Sequence, residues 1–307
     1  MSEYSQLMIY SNLTLIVFGI LGNFTIVWIT IANKNLHSRC NLLIGILAFF
    51  DLVIGFYLAS LRFLMIFQYY NIPTSFCFYF SIYGLFSLNM QSSLGLIIGI
   101  DRLLNVSYPL RYSFLPKSIY VMLILSCLIF SFIITFFGYL DVLDDKSDVV
   151  VCLPPNAYSG NSRKLWLASN FFISICVIIV YSMAHLRCQI MRASNTHQQT
   201  CQMITRLMKS LSIVVGVYVC TWFVTIACIF FMQIVPIPAE ISARINEQLG
   251  WCVIINASLN FFIYFWRTPE YRKAILRLYG IPGSENSDFV FNASNRNVSI
   301  TRKSVAA

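Results

Sequence analysis

The sequence predicts an all-α membrane protein, a seven-transmembrane helix bundle with a short amphipathic helix after the seventh span. Three observations predict it. The 307 residues are 58% hydrophobic and only 11% charged, whereas soluble domains carry about 25% charged residues. Mean hydropathy is +0.72, a value that would leave a soluble domain with a large insoluble surface. Seven mainly apolar segments, roughly 8–32, 42–67, 76–100, 118–140, 165–186, 208–233 and 248–266, each approach or exceed the about 20 residues a helix needs to cross a bilayer.

The net charge of +9 does not imply nucleic acid, because the basic residues sit in short clusters between the apolar segments. Such clusters set orientation, since cytoplasmic loops carry the excess of Lys and Arg. Lys34 and Arg39 follow the first segment; Arg102, Arg111 and Lys117 the third; Arg187, Arg192, Arg206 and Lys209 the fifth; Arg267, Arg272, Lys273 and Arg277 the seventh. The alternate loops are poorer, and 141–164 offsets Lys146, Arg163 and Lys164 with Asp141, Asp144, Asp145 and Asp148. The expected placement is a multi-pass plasma-membrane protein with an extracellular N-terminus and a cytoplasmic C-terminus.

In chain order, residues 1–7 form a short extracellular N-terminus without a basic signal-peptide region, so the first span serves as its own insertion signal. Residues 8–267 form the membrane domain. Asp51 falls in the middle of the second span, with Arg62 near its outer end. The third segment has a Cys at one boundary (Cys77), an uncharged apolar run from Phe78 to Ile100, and Asp101-Arg102 at the other. As a helix it spans about 37 Å between those boundaries. Cys77 and Cys152 fall on the oxidising side, where a disulfide would persist; two free thiols are the alternative. Cys40, Cys188 and Cys201 fall on the reducing side. After the seventh span, residues 268–280 place Tyr271, Ile275, Leu278 and Tyr279 at helical spacing against Arg272, Lys273 and Arg277, the pattern of a helix lying on a lipid surface. Residues 281–307 are Ser- and Asn-rich and read as a disordered cytoplasmic tail, with Ser284 and Ser304 as candidate phosphorylation sites. Of the glycosylation sequons, only Asn12 lies near the outside, too close to the bilayer for use.

Ionisable and polar groups inside a membrane are costly and point to function. Asp51 is the clear case, with Asn23, Gln91, Asn256 and Asn260 at comparable depth. Asn256 and Asn260 are four apart and share a helix face. The expected cluster around Asp51 holds water or a monovalent cation; helix–helix glue is the bland reading of the same residues. Asp101 beside Arg102 suggests a local ion pair that holds the Arg in one state and releases it in another. Arg62 either snorkels to the headgroups or faces an outer cavity and accepts an anionic ligand group.

Taken together, these residues resemble the rhodopsin-like G-protein-coupled receptors over almost the whole chain. Gly22-Asn23, Leu47 to Asp51, Asp101-Arg102-Leu103, Pro109, Tyr181, Tyr218 with Trp222, and Asn260-Phe-Phe-Ile-Tyr264 stand in the family's order. Gly99-Ile-Asp-Arg-Leu, Tyr108-Pro-Leu-Arg-Tyr112 and Tyr264-Phe-Trp-Arg-Thr-Pro-Glu-Tyr-Arg272 are similar to the nematode Srsx chemosensory serpentine receptors. The resemblance implies a Cys77–Cys152 disulfide and a ligand entering beneath the loop it tethers. It implies activation and G-protein coupling through Asp101, Arg102, Tyr181, Trp222, Asn260 and Tyr264. It places the ligand pocket at Arg62, Tyr83, Gly84, Leu88, Thr225, Ile229, Asn246 and Gly250. The implied partners are an extracellular small molecule or peptide, a heterotrimeric G protein, membrane lipids, and arrestin and a receptor kinase at the tail.

The departures from the pattern bear on mechanism. The fourth span lacks the family's Trp, the fifth and sixth lack their kink prolines, and Phe261 replaces a Pro in the seventh. Between His197 and Glu240 there is no acid, so Arg102 has no partner on the sixth span and raised basal activity is expected. Gly84 stands where amine receptors place an Asp, which argues against an amine ligand. No Lys in 248–266 means no retinal Schiff base. No catalytic constellation or Cys-x-x-Cys pair occurs and the three His are scattered, so neither an enzyme nor a cofactor is expected. The alternative is a secondary transporter or channel with a midplane Asp51 site, although no internal repeat supports one.

Overall fold

The computed structural model describes residues 6–149, 151–193, 212–213, 215–235 and 237–280. The expectations for the tail beyond 280, for Cys201, and for Arg206 and Lys209 lie outside these residues. The chain runs α1 (Gln6–Ala32), a 3-10 turn (Lys34–Leu36), α2 (Arg39–Ile66), β1 (Ile72–Pro73), α3 (Thr74–Ser107), α4 (Pro109–Phe114), α5 (Lys117–Leu143), β2 (Asp148–Val149), α6 (Pro154–Ala157) and α7 (Gly160–Ala193). It continues with α8 (Val215–Ile234), α9 (Ala239–Arg267) and α10 (Pro269–Leu278). The seven spans are α1, α2, α3, α5, α7, α8 and α9, and the fold is an all-α seven-helix bundle.

Among the described residues, six helices are long and apolar enough to cross a membrane by length and composition; α3 is not one of them. The sequence presents it as an uncharged apolar run, but Ser81, Ser87, Asn89, Gln91, Ser92 and Ser93 are all buried on it. The physical reason is position. α3 packs against α2, α5 and α7, so its polar groups meet other helices rather than lipid. Span ends also differ from the sequence reading: α7 runs from 160 to 193 and α9 starts at 239. Helical hydrogen bonding continues past the apolar stretch into polar residues that hydropathy assigns to loops.

α1 lies against α2 and α9. Asn23 Nδ2 donates to the Ala257 carbonyl of α9 at 2.8 Å. Gly22 is required by the neighbouring Phe261: a Cβ on Gly22 would stand 2.5 Å from the Phe261 Cβ. The residue that replaces the expected proline is thus seated on a glycine of α1, and α9 stays helical through it. In α8, where a kink proline is also missing, Val219–Phe223 forms a π turn. Such wide turns interrupt the regular ladder and are found mostly at functional sites.

At one end of the bundle, Cys77 of α3 is disulfide-bonded to Cys152. The antiparallel pair Ile72↔Val149 and Pro73↔Asp148 lays the same loop beside the start of α3. Asp141 Oδ2 accepts the Ser162 N–H at 2.5 Å, which satisfies an amide at the start of α7. At the other end, α10 is docked rather than only laid on the surface. Its Tyr271 is fully buried, donating to the Asn41 carbonyl at 3.1 Å and sharing a 3.1 Å hydrogen bond with Thr30 Oγ1. Asn41 Nδ2 also donates to Glu270 Oε2 at 2.7 Å. Burial raises the Tyr271 phenol above its ordinary pKa, so it stays a hydrogen-bond donor.

Candidate functional site

The disulfide end of the bundle encloses a cavity of about 590 Å³, counted with its open mouth. Arg62, Leu88, Thr225, Ile229, Asn246 and Gly250 line it, together with Leu58, Trp166, Trp222, Ile226, Leu249, Val253 and the loop segment Leu153–Asn156. Two expected lining residues are elsewhere. Tyr83 is 41% exposed and its hydroxyl meets Ser60 Oγ at 3.0 Å. Gly84 is buried against the Tyr57 ring, into which any Cβ at that position would run. Tyr57 therefore fills the space a longer side chain at position 84 would need. Arg62 does not snorkel: it is 4% exposed, one turn short of the end of α2, and its Nη1 reaches Met65 Sδ at 3.3 Å. Its guanidinium lies over Gly250 of α9, where a Cβ would stand 3.4 Å from Nη2.

At the cavity floor, Trp222 is 2% exposed and its Nε1 has no hydrogen-bond partner among the described residues. The preceding Thr221, also in the π turn, shares its single hydroxyl hydrogen between the Val217 carbonyl at 2.5 Å and Asn256 Oδ1 at 3.2 Å. The floor of the cavity is thereby tied to α9. Tyr218, one turn before Trp222, shares a hydrogen bond with Ser174 of α7 at 3.0 Å.

Midway through the bundle, Asp51 is fully enclosed. Its Oδ1 accepts from Gln91 Nε2 at 2.5 Å and its Oδ2 from Asn260 Nδ2. Of the five residues expected here, these three meet directly. Asn256 is turned to Thr221 and Asn23 to the Ala257 carbonyl. In this arrangement the two carboxylate oxygens are each taken up by a side-chain amide N–H.

At the opposite end, the expected Asp101–Arg102 pair is not formed. Asp101 Oδ1 instead accepts the hydroxyls of Tyr112 at 2.9 Å and Tyr120 at 2.6 Å. Arg39, at the start of α2, lies over both rings at 5.6 and 5.7 Å and donates to the Tyr112 carbonyl at 2.7 Å. Burial first, and then the Asp101 charge, push the Tyr112 phenol well above its ordinary range, which keeps its proton on and its hydroxyl donating. Arg102 makes no direct ion pair with Asp101 among the described residues, but stays within electrostatic reach of Cys40, Asp101, Tyr181 and Tyr264. Tyr181 packs over Gly99 and donates to the Gly95 carbonyl at 3.5 Å. Tyr264 is 6% exposed and packs on Tyr271 of α10 at 5.8 Å between ring centroids.

One buried network escapes the sequence reading altogether. Asn89 Oδ1 accepts from Trp166 Nε1 at 3.0 Å and from Asn170 Nδ2 at 3.3 Å, and Ser92 Oγ donates to Asn170 Oδ1 at 2.7 Å. Asn89 stands mid-span in α3 and Asn170 is fully buried in the first third of α7, so the rule that singles out Asp51 and its neighbours also applies to them.

The profile of the serpentine type 7TM GPCR chemoreceptor Srsx family matches residues 16–279. No curated protein matches the chain.

Proposed function

The chain belongs to the Srsx family of serpentine seven-transmembrane chemoreceptors, and from that premise we propose that it is a chemosensory G-protein-coupled receptor of the plasma membrane. A small extracellular molecule binds in the cavity at the Cys77–Cys152 end, and a heterotrimeric G protein is engaged at the Arg102 end. The distribution of Lys and Arg supports placing the disulfide outside and α10 on the cytoplasmic side.

The observation that carries the reading is the course of α8. Trp222, Thr225, Ile226 and Ile229 line the cavity, and the same helix contains the π turn that breaks its regular ladder. A ligand pressing on Trp222 acts at the point where α8 deforms with least loss of hydrogen bonding. Thr221 and Asn256 pass the change to α9, whose Asn260 and Tyr264 reach Asp51 and the Arg102 region. The ligand shifts a population, so it binds better to the form in which the Arg102 end is open. The cavity, partly covered by the Leu153–Asn156 segment that lines it, suits a small molecule.

The test is a G-protein nucleotide-exchange assay in cells against a panel of small alcohols, ketones and carboxylic acids, with solute and ion flux measured in parallel. Ligand-dependent exchange without flux is expected. Flux without exchange would favour a transporter built around Asp51.

A further inference from the structure

We propose that Asn89 determines ligand specificity by acting through Trp166: it turns the indole N–H away from the cavity and fixes a carbon face of the ring there to receive an apolar part of the ligand. The proposal rests on the reading of the cavity as the ligand site.

Asn89 is fully buried. Its Oδ1 accepts Trp166 Nε1–H at 3.0 Å. The Asn170 amide braces that oxygen at 3.3 Å and also donates to the Trp166 carbonyl at 2.9 Å. Asn89 Nδ2 reaches the Tyr158 hydroxyl at 3.5 Å, and the Tyr158 ring stacks on Trp166 at 5.3 Å. Trp166 is thus held at its N–H, on one face and at its backbone. An indole has a single donor. With that donor engaged by Asn89, the part of Trp166 lining the cavity offers a ligand dispersion and ring-face contact only.

The same residue steadies the cavity roof. Cys152 and Tyr158 bracket the segment that covers the cavity. Cys152 is joined to α3 through Cys77, and Tyr158 is joined to α3 through Asn89. Removing the Asn89 amide would take away the acceptor of the buried Trp166 N–H, and an unpaired buried donor is costly. The indole would then be expected to turn its N–H toward the cavity, replacing an apolar wall by a polar one.

The test uses purified full-length receptor labelled with 5-fluorotryptophan, with the Trp166 fluorine resonance assigned by Trp166→Phe. Asn89→Leu should shift that resonance, whereas Asn89→Asp, which keeps an acceptor oxygen, should leave it near the wild-type position and also report whether the site tolerates substitution. The probes are octanol, octanoate and octylammonium. Octanol should perturb the wild-type Trp166 resonance, and its half-maximal concentration should rise about tenfold in Asn89→Leu. In the Trp166→Phe background, which has no N–H to hold, Asn89→Leu should leave the order of probe potencies in nucleotide exchange unchanged. An unshifted resonance in Asn89→Leu, or unchanged octanol sensitivity, overturns the proposal while leaving the cavity reading intact. Probes that activate exchange without moving the wild-type Trp166 resonance place the ligand elsewhere and overturn both.

Discussion

Tyr120 donates its hydroxyl to Asp101 at 2.6 Å, so a carboxylate expected to restrain the adjacent Arg102 is instead held by a tyrosine of α5. Together with Tyr112, this restraint links α3, α4 and α5 under the Arg39 guanidinium. Arg102 lies within electrostatic reach of Asp101, Tyr181 and Tyr264, with no acid on the sixth span to hold it. Replacing Tyr120 by Phe removes one donor from a buried carboxylate, a change that costs about 1–3 kcal/mol. The expected result is a lower melting temperature for purified Tyr120→Phe receptor and a still lower one for Tyr112→Phe/Tyr120→Phe. Equal melting temperatures for all three proteins would show that the tyrosines do not hold Asp101.

Asp51 depends on two amides. Asn260→Ala and Gln91→Ala each remove a donor from a fully enclosed carboxylate, so each should destabilise the receptor by about 1–3 kcal/mol. Asp51→Asn removes the buried charge. In that background Asn260→Ala should cost markedly less, because the loss of a donor matters most to a charged acceptor. Thermal unfolding of the four proteins checks this; equal costs in both backgrounds would rule it out.

Gly22 and Phe261 are a matched pair. Gly22→Ala drives a methyl into Phe261, and overpacking of this kind costs about 1–3 kcal/mol. The double variant Gly22→Ala/Phe261→Ala should recover part of the lost surface expression. A double variant that expresses no better than Gly22→Ala alone would contradict the pairing.

Thr221→Val keeps the shape of the side chain and removes the hydroxyl that joins the π turn to Asn256. The expected outcome is a weaker maximal exchange response to octanol at unchanged surface expression, with octanol binding to the purified receptor within about threefold of wild type, a difference under 1 kcal/mol. Loss of binding in step with the response would instead place Thr221 in the ligand site.

The helices were legible because membrane spans need long apolar runs, and the Cys77–Cys152 pairing was legible because both thiols fall at one face of the bundle. Six of the eight expected lining residues do meet at the cavity. Tyr83 and Gly84 do not, because helix position alone does not reveal that Tyr57 occupies the space between α2 and α3. Asp101 shows the same limit in another form. Its neighbour in sequence is an arginine, but a one-residue step along a helix turns the side chain by about 100°, and its partners come from α4 and α5. The π turn in α8 has no such marker as a Pro, and the Asn89 network is spread over two spans whose polar residues look isolated when each is taken alone.

The most direct measurement of the central claim is nucleotide exchange on a heterotrimeric G protein by receptor reconstituted in lipid vesicles, with and without octanol, for wild type, Ile229→Trp and Arg102→Ala. Ile229→Trp fills the cavity, and Arg102→Ala alters the far end without touching it. The account predicts octanol-stimulated exchange in the wild type and none in Ile229→Trp. It predicts that Arg102→Ala still binds octanol but fails to stimulate exchange. Wild-type levels of stimulated exchange by Arg102→Ala would contradict it.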